Sequence, residues 1–331
     1  MINNKRQPKR PHDGSGTGQT SPNKAYIVVV AMLAACFCSP AWADVFSFNT
    51  GSPDGKLGAR SQQAGSENPI ETETADDFIL SDATVINRAI ITGLISLGAP
   101  LANITNIEVE LYHVFPKDSV DPPSGKVPSR VNSPADVEIS AATRDGGDGT
   151  LVFVPSLVNT SFPVANSVIN GINPKPDQAT LGEGPRTGEE VQIAITFTTP
   201  IFLPADHYFF RPEAALTSGD FLFLSAPRPT SPPLFAGDLQ AWIRNTNLKP
   251  DWLRIGTDIV DGPTPPTFNM TFSLSGNTVP NAGIPRQANC HGQTVSALAG
   301  QFGGMSDAAE ALGFSSVAAL QEGIGQFCGL S

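Results

Sequence analysis

A two-residue alternation of apolar and polar side chains between residues 44 and 276 constrains the fold more than any other feature of the chain. It is clearest in IEVELYHVF (107–115), VQIAITFT (191–198) and TFNMTFSL (267–274). Successive side chains of a strand point to opposite faces, so this rhythm predicts strands with one buried face and one solvent face. In the first stretch, both glutamates and the tyrosine fall on the face that we expect to be solvent-exposed.

Turn-forming residues are spread through the same region. The chain holds 31 Gly and 30 Pro without a regular period, a distribution that suits many short strands joined by turns and loops. No amphipathic helix of useful length interrupts residues 44–276. The sequence therefore predicts a mainly β protein, in which antiparallel sheets pack face to face as a β-sandwich of jelly-roll or immunoglobulin-like type.

The pattern changes near the C-terminus. Residues 277–289 are polar, contain two prolines and have no period, so we interpret them as a linker. In residues 290–331, apolar side chains recur at helical spacing, and glycines follow these apolar segments. This pattern predicts a small helical domain. Because Cys290 and Cys328 bracket this segment, we expect a disulfide that closes it almost end to end. Free thiols or a zinc site are the alternatives, and no second ligand pair supports zinc.

The N-terminal segment is typical of an export signal. A basic stretch precedes the apolar run AYIVVVAMLAACFC and the small residues of SPAWA, which predicts a signal peptide over 1–43, cut between Ala43 and Asp44. Two alternatives stay open. LAAC resembles a bacterial lipobox that would lipidate Cys36, and the apolar run could be a short anchor helix. We expect a secreted, periplasmic or cell-surface protein, with no membrane span in the mature chain.

The net charge of the chain limits the classes of partner that we expect. The full chain has a net charge of −11, and removing 1–43, with five basic groups and one acidic group, gives −11 − 4 = −15. A surface this acidic repels nucleic acid and anionic lipid headgroups, so we exclude both as main partners. An extracellular glycan or protein is the partner class that we expect.

Several longer stretches carry a family resemblance. TADDFIL, LPADHYFFRPE and DWLRIGTDIV resemble a family of uncharacterised secreted bacterial proteins, similar to β-sandwich proteins that carry cell-surface sorting tails. The C-terminal NCHG and ALGFSSVAALQ resemble a small helical module of bacterial exported proteins. The resemblance implies a β-sandwich and export, but no known activity. QFCGLS has neither a hydrophobic tail nor a basic stop, so we do not expect sortase-type anchoring.

Two acidic motifs are candidates for calcium, the only cofactor that we consider. Asp76 and Asp77 lie in TADDFIL, where strand geometry points neighbouring carboxylates to opposite faces and argues against a catalytic pair. We favour a structural role at a strand start over calcium. Asp145 and Asp148 lie in RDGGDGT, where Asp-Gly pairs also form ordinary turns. The turn is the favoured interpretation there.

Catalytic motifs are weak. The chain has no G-x-S-x-G, H-E-x-x-H or P-loop pattern. His113 falls on an apolar strand face, and His207 follows Asp206. A shared site would require a fold contact between the two histidines, which the sequence does not reveal. We therefore expect no enzymatic activity, and a hydrolase on a β-sandwich is the least favoured alternative.

The aromatic residues suggest binding. Trp242 and Trp252 stand in polar surroundings next to Arg244 and Arg254. Exposed indoles there could stack on sugar rings, whereas buried indoles would fill the core, and burial is the favoured interpretation. The main hypothesis is a non-enzymatic exported protein with a binding role or a structural role at the cell surface or in a matrix. A lectin-like carbohydrate-binding module is the first alternative.

Overall fold

The computed structural model describes residues 44–119, 125–172, 179–228 and 236–330. These residues belong to one compact unit that spans 40–331. The predicted signal peptide lies outside the described residues, and so do its cleavage residue Ala43 and the alternative lipidation site Cys36. No helix in the described part of the chain has both the length and the apolar character needed to cross a bilayer.

The structure is mainly β, with helices at the C-terminal end. The strands are β1 Val45–Asn49, β2 Leu57–Arg60, β3 Thr72–Ile79, β4 Thr84–Ile95, β5 Ile104–His113, β6 Arg144–Asp145, β7 Leu151–Val164, β8 Asn166–Val168, β9 Arg186–Leu203, β10 His207–Leu216, β11 Leu222–Ala226, β12 Trp242–Asn245, β13 Leu253–Arg254, β14 Asn269–Met270 and β15 Phe272–Thr278. The helices are α1 Cys290–Phe302, α2 Met305–Leu312 and α3 Val317–Gly329.

The strands form two sheets. A six-stranded sheet has the order β13-β12-β3-β10-β5-β6, and we call it the small sheet. A nine-stranded sheet, the large sheet, follows β1-β15-β4-β11-β2-β8, with β9 and β7 added beside β4 and β14 paired to β11. All pairings are antiparallel except that of β2 with β8. The mainly β class with mostly antiparallel sheets is confirmed.

The apolar faces of the two sheets meet in one hydrophobic cluster. Phe78 of β3 and Phe210 of β10 come from the small sheet, and Ile91 of β4 and Phe272 of β15 come from the large sheet. The Phe210 and Phe272 rings stack at a centroid distance of 4.9 Å. The alternation in the sequence has its physical origin here, because one face of each strand is removed from water by the opposite sheet.

The face of the small sheet that points away from the large sheet is not solvent-exposed as predicted. Glu108, Glu110 and Tyr112 of β5 were expected to face solvent, yet Tyr112 is fully buried. Its ring meets Trp252 edge-on at 5.5 Å, and Trp252 belongs to a chain segment far away in sequence. The alternation along β5 is as predicted, but the chain segment that contains Trp252 covers the face that was expected to be solvent-exposed.

The helices end and begin at identifiable residues. α1 and α2 are followed by Gly303 and Gly313 in the left-handed conformation, with φ of 82° and 83°, as predicted. Ser316 caps α3, since its side chain accepts a hydrogen bond from the Ala319 N–H. Thr294 lies inside α1, where its hydroxyl donates to the carbonyl of Cys290.

A disulfide joins Cys290 to Cys328, with a Cα–Cα distance of 5.8 Å, and this prediction is confirmed. The helices pack on the large sheet through Val85 and Phe202, and the rings of Phe202 and Phe327 stack at 4.2 Å. β15 runs to Thr278, two residues past the predicted end of the β domain at 276. The division into domains at 44–276, 277–289 and 290–331 stays a prediction.

Candidate functional site

Asp76 and Asp77 lie within β3, not at its start, and they face opposite sides of the small sheet. The Asp77 carboxylate contacts His207 Nε2 at 2.6 Å and accepts from the Leu239 N–H. Asp76 points between the sheets, where it accepts from the Met270 N–H at 2.7 Å. Burial, followed by the nearby charge of Asp77, raises the pKa of Asp76 well above its usual value. The two carboxylates do not converge on one point.

Asp145 organises a turn. Its carboxylate accepts from the backbone N–H groups of Gly147 and Asp148, at 2.5 and 3.2 Å, and from the Asn106 amide at 3.1 Å. This is the ordinary role of aspartate in an Asp-Gly turn. Among the described residues, no three His, Cys, Asp or Glu side chains converge as metal ligands. Calcium binding at either acidic motif stays a prediction.

The four residues that the sequence suggested for binding divide into two pairs. Arg244 and Trp252 are buried on the covered face of the small sheet, and the Arg244 guanidinium lies 4.2 Å from the centroid of the Trp252 ring. Trp242 and Arg254 are directly opposed where β12 pairs with β13. Both tryptophans are 1% exposed, so neither presents a ring face to which a sugar could stack.

Glu73 is the centre of a buried charge network on the covered face. Its carboxylate contacts Arg244 Nε at 2.6 Å and Lys249 Nζ at 2.5 Å, and Arg211 Nε lies 3.9 Å away. Burial alone would raise the pKa of Glu73, but Arg244, Arg211 and Lys249 outweigh it and hold this pKa at about 2. The cations therefore keep the Glu73 carboxylate ionised.

Arg211 connects this network to its neighbours on β10 and β5. It is 1% exposed, and its guanidinium contacts Glu213 at 2.7 Å and also the carboxylate of Glu110. Tyr112 donates to Glu110 and accepts from Arg244 at 2.8 Å. Charged side chains from four adjacent strands thus pair with one another on a largely buried face, an arrangement that the sequence does not reveal.

Glu108 lies at the rim of the network, where it accepts from the Gln63 amide at 2.9 Å. Burial and the neighbouring charge of Glu110 outweigh Arg211 and raise the pKa of Glu108 from 4.5 to about 7. A raised folded-state pKa contributes stability that is complete below about pH 4.5 and is lost as the pH rises through about 7.

Glu108→Gln is therefore expected to reduce the fall in stability between about pH 5 and about pH 8. Thermal unfolding of both proteins at the two pH values measures the difference. Glu67→Gln, at an exposed position, is the control and should preserve the wild-type pH dependence. An identical pH dependence for Glu108→Gln and wild type would contradict the assignment of this pKa.

A cavity of about 330 Å³ lies beside the β12–β13 pair. Its lining includes Asn132, Arg228, Gln240, Trp242, Arg254 and Thr267. Asp258 holds Arg254 through two hydrogen bonds of 3.0 and 2.6 Å, and Asp238 lies 3.1 Å from Arg228. The buried indole N–H of Trp242 finds no hydrogen-bond partner among the described residues. The cavity lining therefore combines charge-balanced guanidinium groups with amides.

The histidines do not form a common site. His113 and His207 lie on opposite faces of the small sheet. His113 Nε2 is 3.2 Å from Asp118, and its Nδ1 is 3.4 Å from Asp206. His113 and Asp118 line another cavity, of about 450 Å³, beside the end of α3. Asp76, Asp206 and His207 are not among its lining residues, so the predicted acid–base groups do not meet there.

Comparison with known proteins finds no match for the chain among protein-family models, curated proteins or solved structures. The resemblance to secreted bacterial β-sandwich proteins therefore stays a prediction. What the fold defines is a class: a mainly β protein of two sheets with a disulfide-linked helical region. Its functional assignment has to come from the geometry of its sites.

Proposed function

We propose that this is an exported, non-enzymatic binding protein, with a surface or matrix role, whose glycan or protein ligand occupies the Trp242–Arg254 cavity. The polar lining of this cavity, in which the ion-paired guanidinium groups of Arg228 and Arg254 lie with the amide of Gln240, is the observation that carries the proposal. A small number of fixed polar groups in a concave site can orient a ligand by hydrogen bonds. The proposal extends to a β-sandwich of jelly-roll or immunoglobulin-like type.

Export is part of the same proposal. The Cys290–Cys328 disulfide supports it, because disulfides persist in oxidising compartments and are rare in the cytosol. Mass spectrometry of the native N-terminus distinguishes cleavage of a signal peptide from lipidation of a cysteine. A chain that begins at Asp44 supports cleavage after Ala43, and a lipid on Cys36 supports the anchored form. An uncleaved, unlipidated N-terminus would contradict both.

A lectin-like version is the second candidate, and the chemistry of the cavity favours it. Asn132, Gln240 and Arg254 offer amide and guanidinium groups that suit the hydroxyl groups of a sugar. In this version recognition rests on hydrogen bonds inside the cavity. It does not use stacking on exposed indoles, for which the burial of Trp242 and Trp252 gives no support.

The test is an array of neutral and acidic oligosaccharides probed with the mature chain, residues 44–331. Trp242→Phe replaces the indole in the cavity wall with a smaller ring and so changes the shape of the cavity, and we expect about a tenfold loss of affinity for any glycan retained. Trp252→Phe is the matched control. It makes the same change at an equally buried tryptophan that does not line the cavity.

The outcomes separate the candidates. A signal lost in Trp242→Phe and kept in Trp252→Phe supports the lectin-like version. Equal binding by both variants and wild type places the ligand elsewhere and overturns the cavity assignment. If no glycan binds, the lectin-like version fails, and an extracellular protein is the remaining ligand class.

A further inference from the structure

The outer face of the large sheet is only partly covered. Where β4 and β9 meet the helices, Val85 and Phe202 are buried beneath α3. Farther along the sheet the same face is open to solvent around Val152 and Val154, which are 54% and 66% exposed. We call this uncovered part the open face.

The strand register defines the open face. It crosses β7, β9, β4, β15 and β1, whose outward side chains lie in cross-strand rows. One row holds Val152, Thr196, Arg88, Ser275 and Ser47, and the next holds Val154, Ala194, Ile90, Ser273 and Asn49. Aliphatic and small uncharged polar groups dominate both rows, which is unlike the acidic character of the chain as a whole.

Two opposite charges lie at opposite ends of the open face. Arg88 is exposed. Glu190 points to the same side, six positions along β9 from Thr196, the cross-strand partner of Arg88; this separation is about 20 Å. Glu190 is 5% exposed and accepts a hydrogen bond from the Asn159 amide. It lines a depression of about 290 Å³ together with Asn49, Ile90, Thr92 and Gln192.

We infer that the open face is a two-fold interface with a second copy of this chain. A two-fold axis perpendicular to the strands, at the level of the Ile193–Ile91 pair, reverses the strand direction. The row of Arg88 then meets the depression of the other copy, so that each Arg88 enters a depression and pairs with Glu190 of the second copy. Two strongly acidic molecules repel each other over most of their surface, whereas the two cross-strand rows described above contain no acidic side chain.

The size of the open face agrees with a stable contact. Five strands are about 24 Å wide, and residues 190–198 of β9 extend about 27 Å. Face-to-face packing would bury roughly 650 Å² on each copy, or roughly 1,300 Å² in total, which lies within the range of specific interfaces. Aliphatic side chains at its centre supply the apolar contribution.

Sedimentation velocity of the mature chain over a wide concentration range tests the inference, and a dimer is expected. Arg88→Glu sets two like charges opposite each other in each depression, so we expect the dissociation constant to rise by about tenfold or more. Val154→Asp, at a second exposed position of the open face, is also expected to raise the dissociation constant. Lys56→Glu makes the same charge change outside the open face and should leave the dimer intact.

A wild-type chain that stays monomeric at every concentration overturns the inference. A dimer that persists in both Arg88→Glu and Val154→Asp also overturns it, because the contact must then lie elsewhere. Melting curves of the variants establish that each one is folded. Glycan binding by a chain that stays monomeric would support the cavity proposal alone and would contradict the proposed interface.

Discussion

Arg211→Met is expected to destabilise the protein by about 3–5 kcal/mol, a large fraction of the stability of an ordinary domain. Arg211 is almost fully buried and is the cation that contacts Glu213 and Glu110. Methionine keeps much of the apolar stem but leaves both carboxylates without this cation, and Glu213 is fully buried. Urea unfolding followed by circular dichroism measures the loss.

Two further variants sharpen this test. Arg186→Met makes the same change at an exposed position, and it should alter stability by no more than about 0.5 kcal/mol. Arg211→Met combined with Glu213→Met removes a buried pair together, which is expected to recover part of the loss. If Arg211→Met is as stable as Arg186→Met, the charge network does not contribute as described.

Removing the disulfide with Cys290→Ala and Cys328→Ala is expected to cost up to about 4 kcal/mol. The bridge links residues separated by 38 positions, and it restricts the unfolded chain over nearly the whole helical region. The three helices are too short to form a secure core alone, so their packing on Phe202 and Val85 should loosen first. Hydrogen exchange locates the change, which we expect in α1–α3 before β3 or β10.

The control for this prediction is Cys290→Ala alone, which opens the same loop and should lose nearly as much stability. Protection of α1–α3 equal to wild type in the double variant would show that sheet packing alone holds the helices. Exchange that rises equally in β3 and α3 would instead mean that the helical region and the sheets unfold together.

The alternation of apolar and polar residues was sufficient to predict the strands, but it did not predict which parts of the chain pack against them. The alternation in residues 107–115 and 191–198 identified β5 and β9, and it separated the two aspartates of β3 onto opposite faces. It could not reveal that a segment near Trp252 covers the polar face of β5, because that contact joins residues far apart in sequence. Burial on the second face of a sheet is set by long-range packing, which period-two patterns do not encode.

The candidate cavity illustrates the same limit. Trp242 and Arg254 were singled out by residue type, but their direct opposition depends on β12 and β13, strands too short to produce a recognisable period. The disulfide was predictable because it needed only a count of the cysteines that remain after the signal segment. The ion network around Glu73 was missed because its members come from four strands that are adjacent only in the folded sheet.

The placement of Glu73 affects which alignment of the strands in the small sheet is stable. Arg244 is directly opposite Glu73 in the β3–β12 pairing, and Arg211 is directly opposite Glu110 in the β5–β10 pairing. A slip of one residue in either pairing would turn a cation toward the apolar cluster and isolate an anion. Misaligned versions of this sheet are therefore penalised electrostatically, so the charges discriminate between competing topologies as well as holding the correct one together.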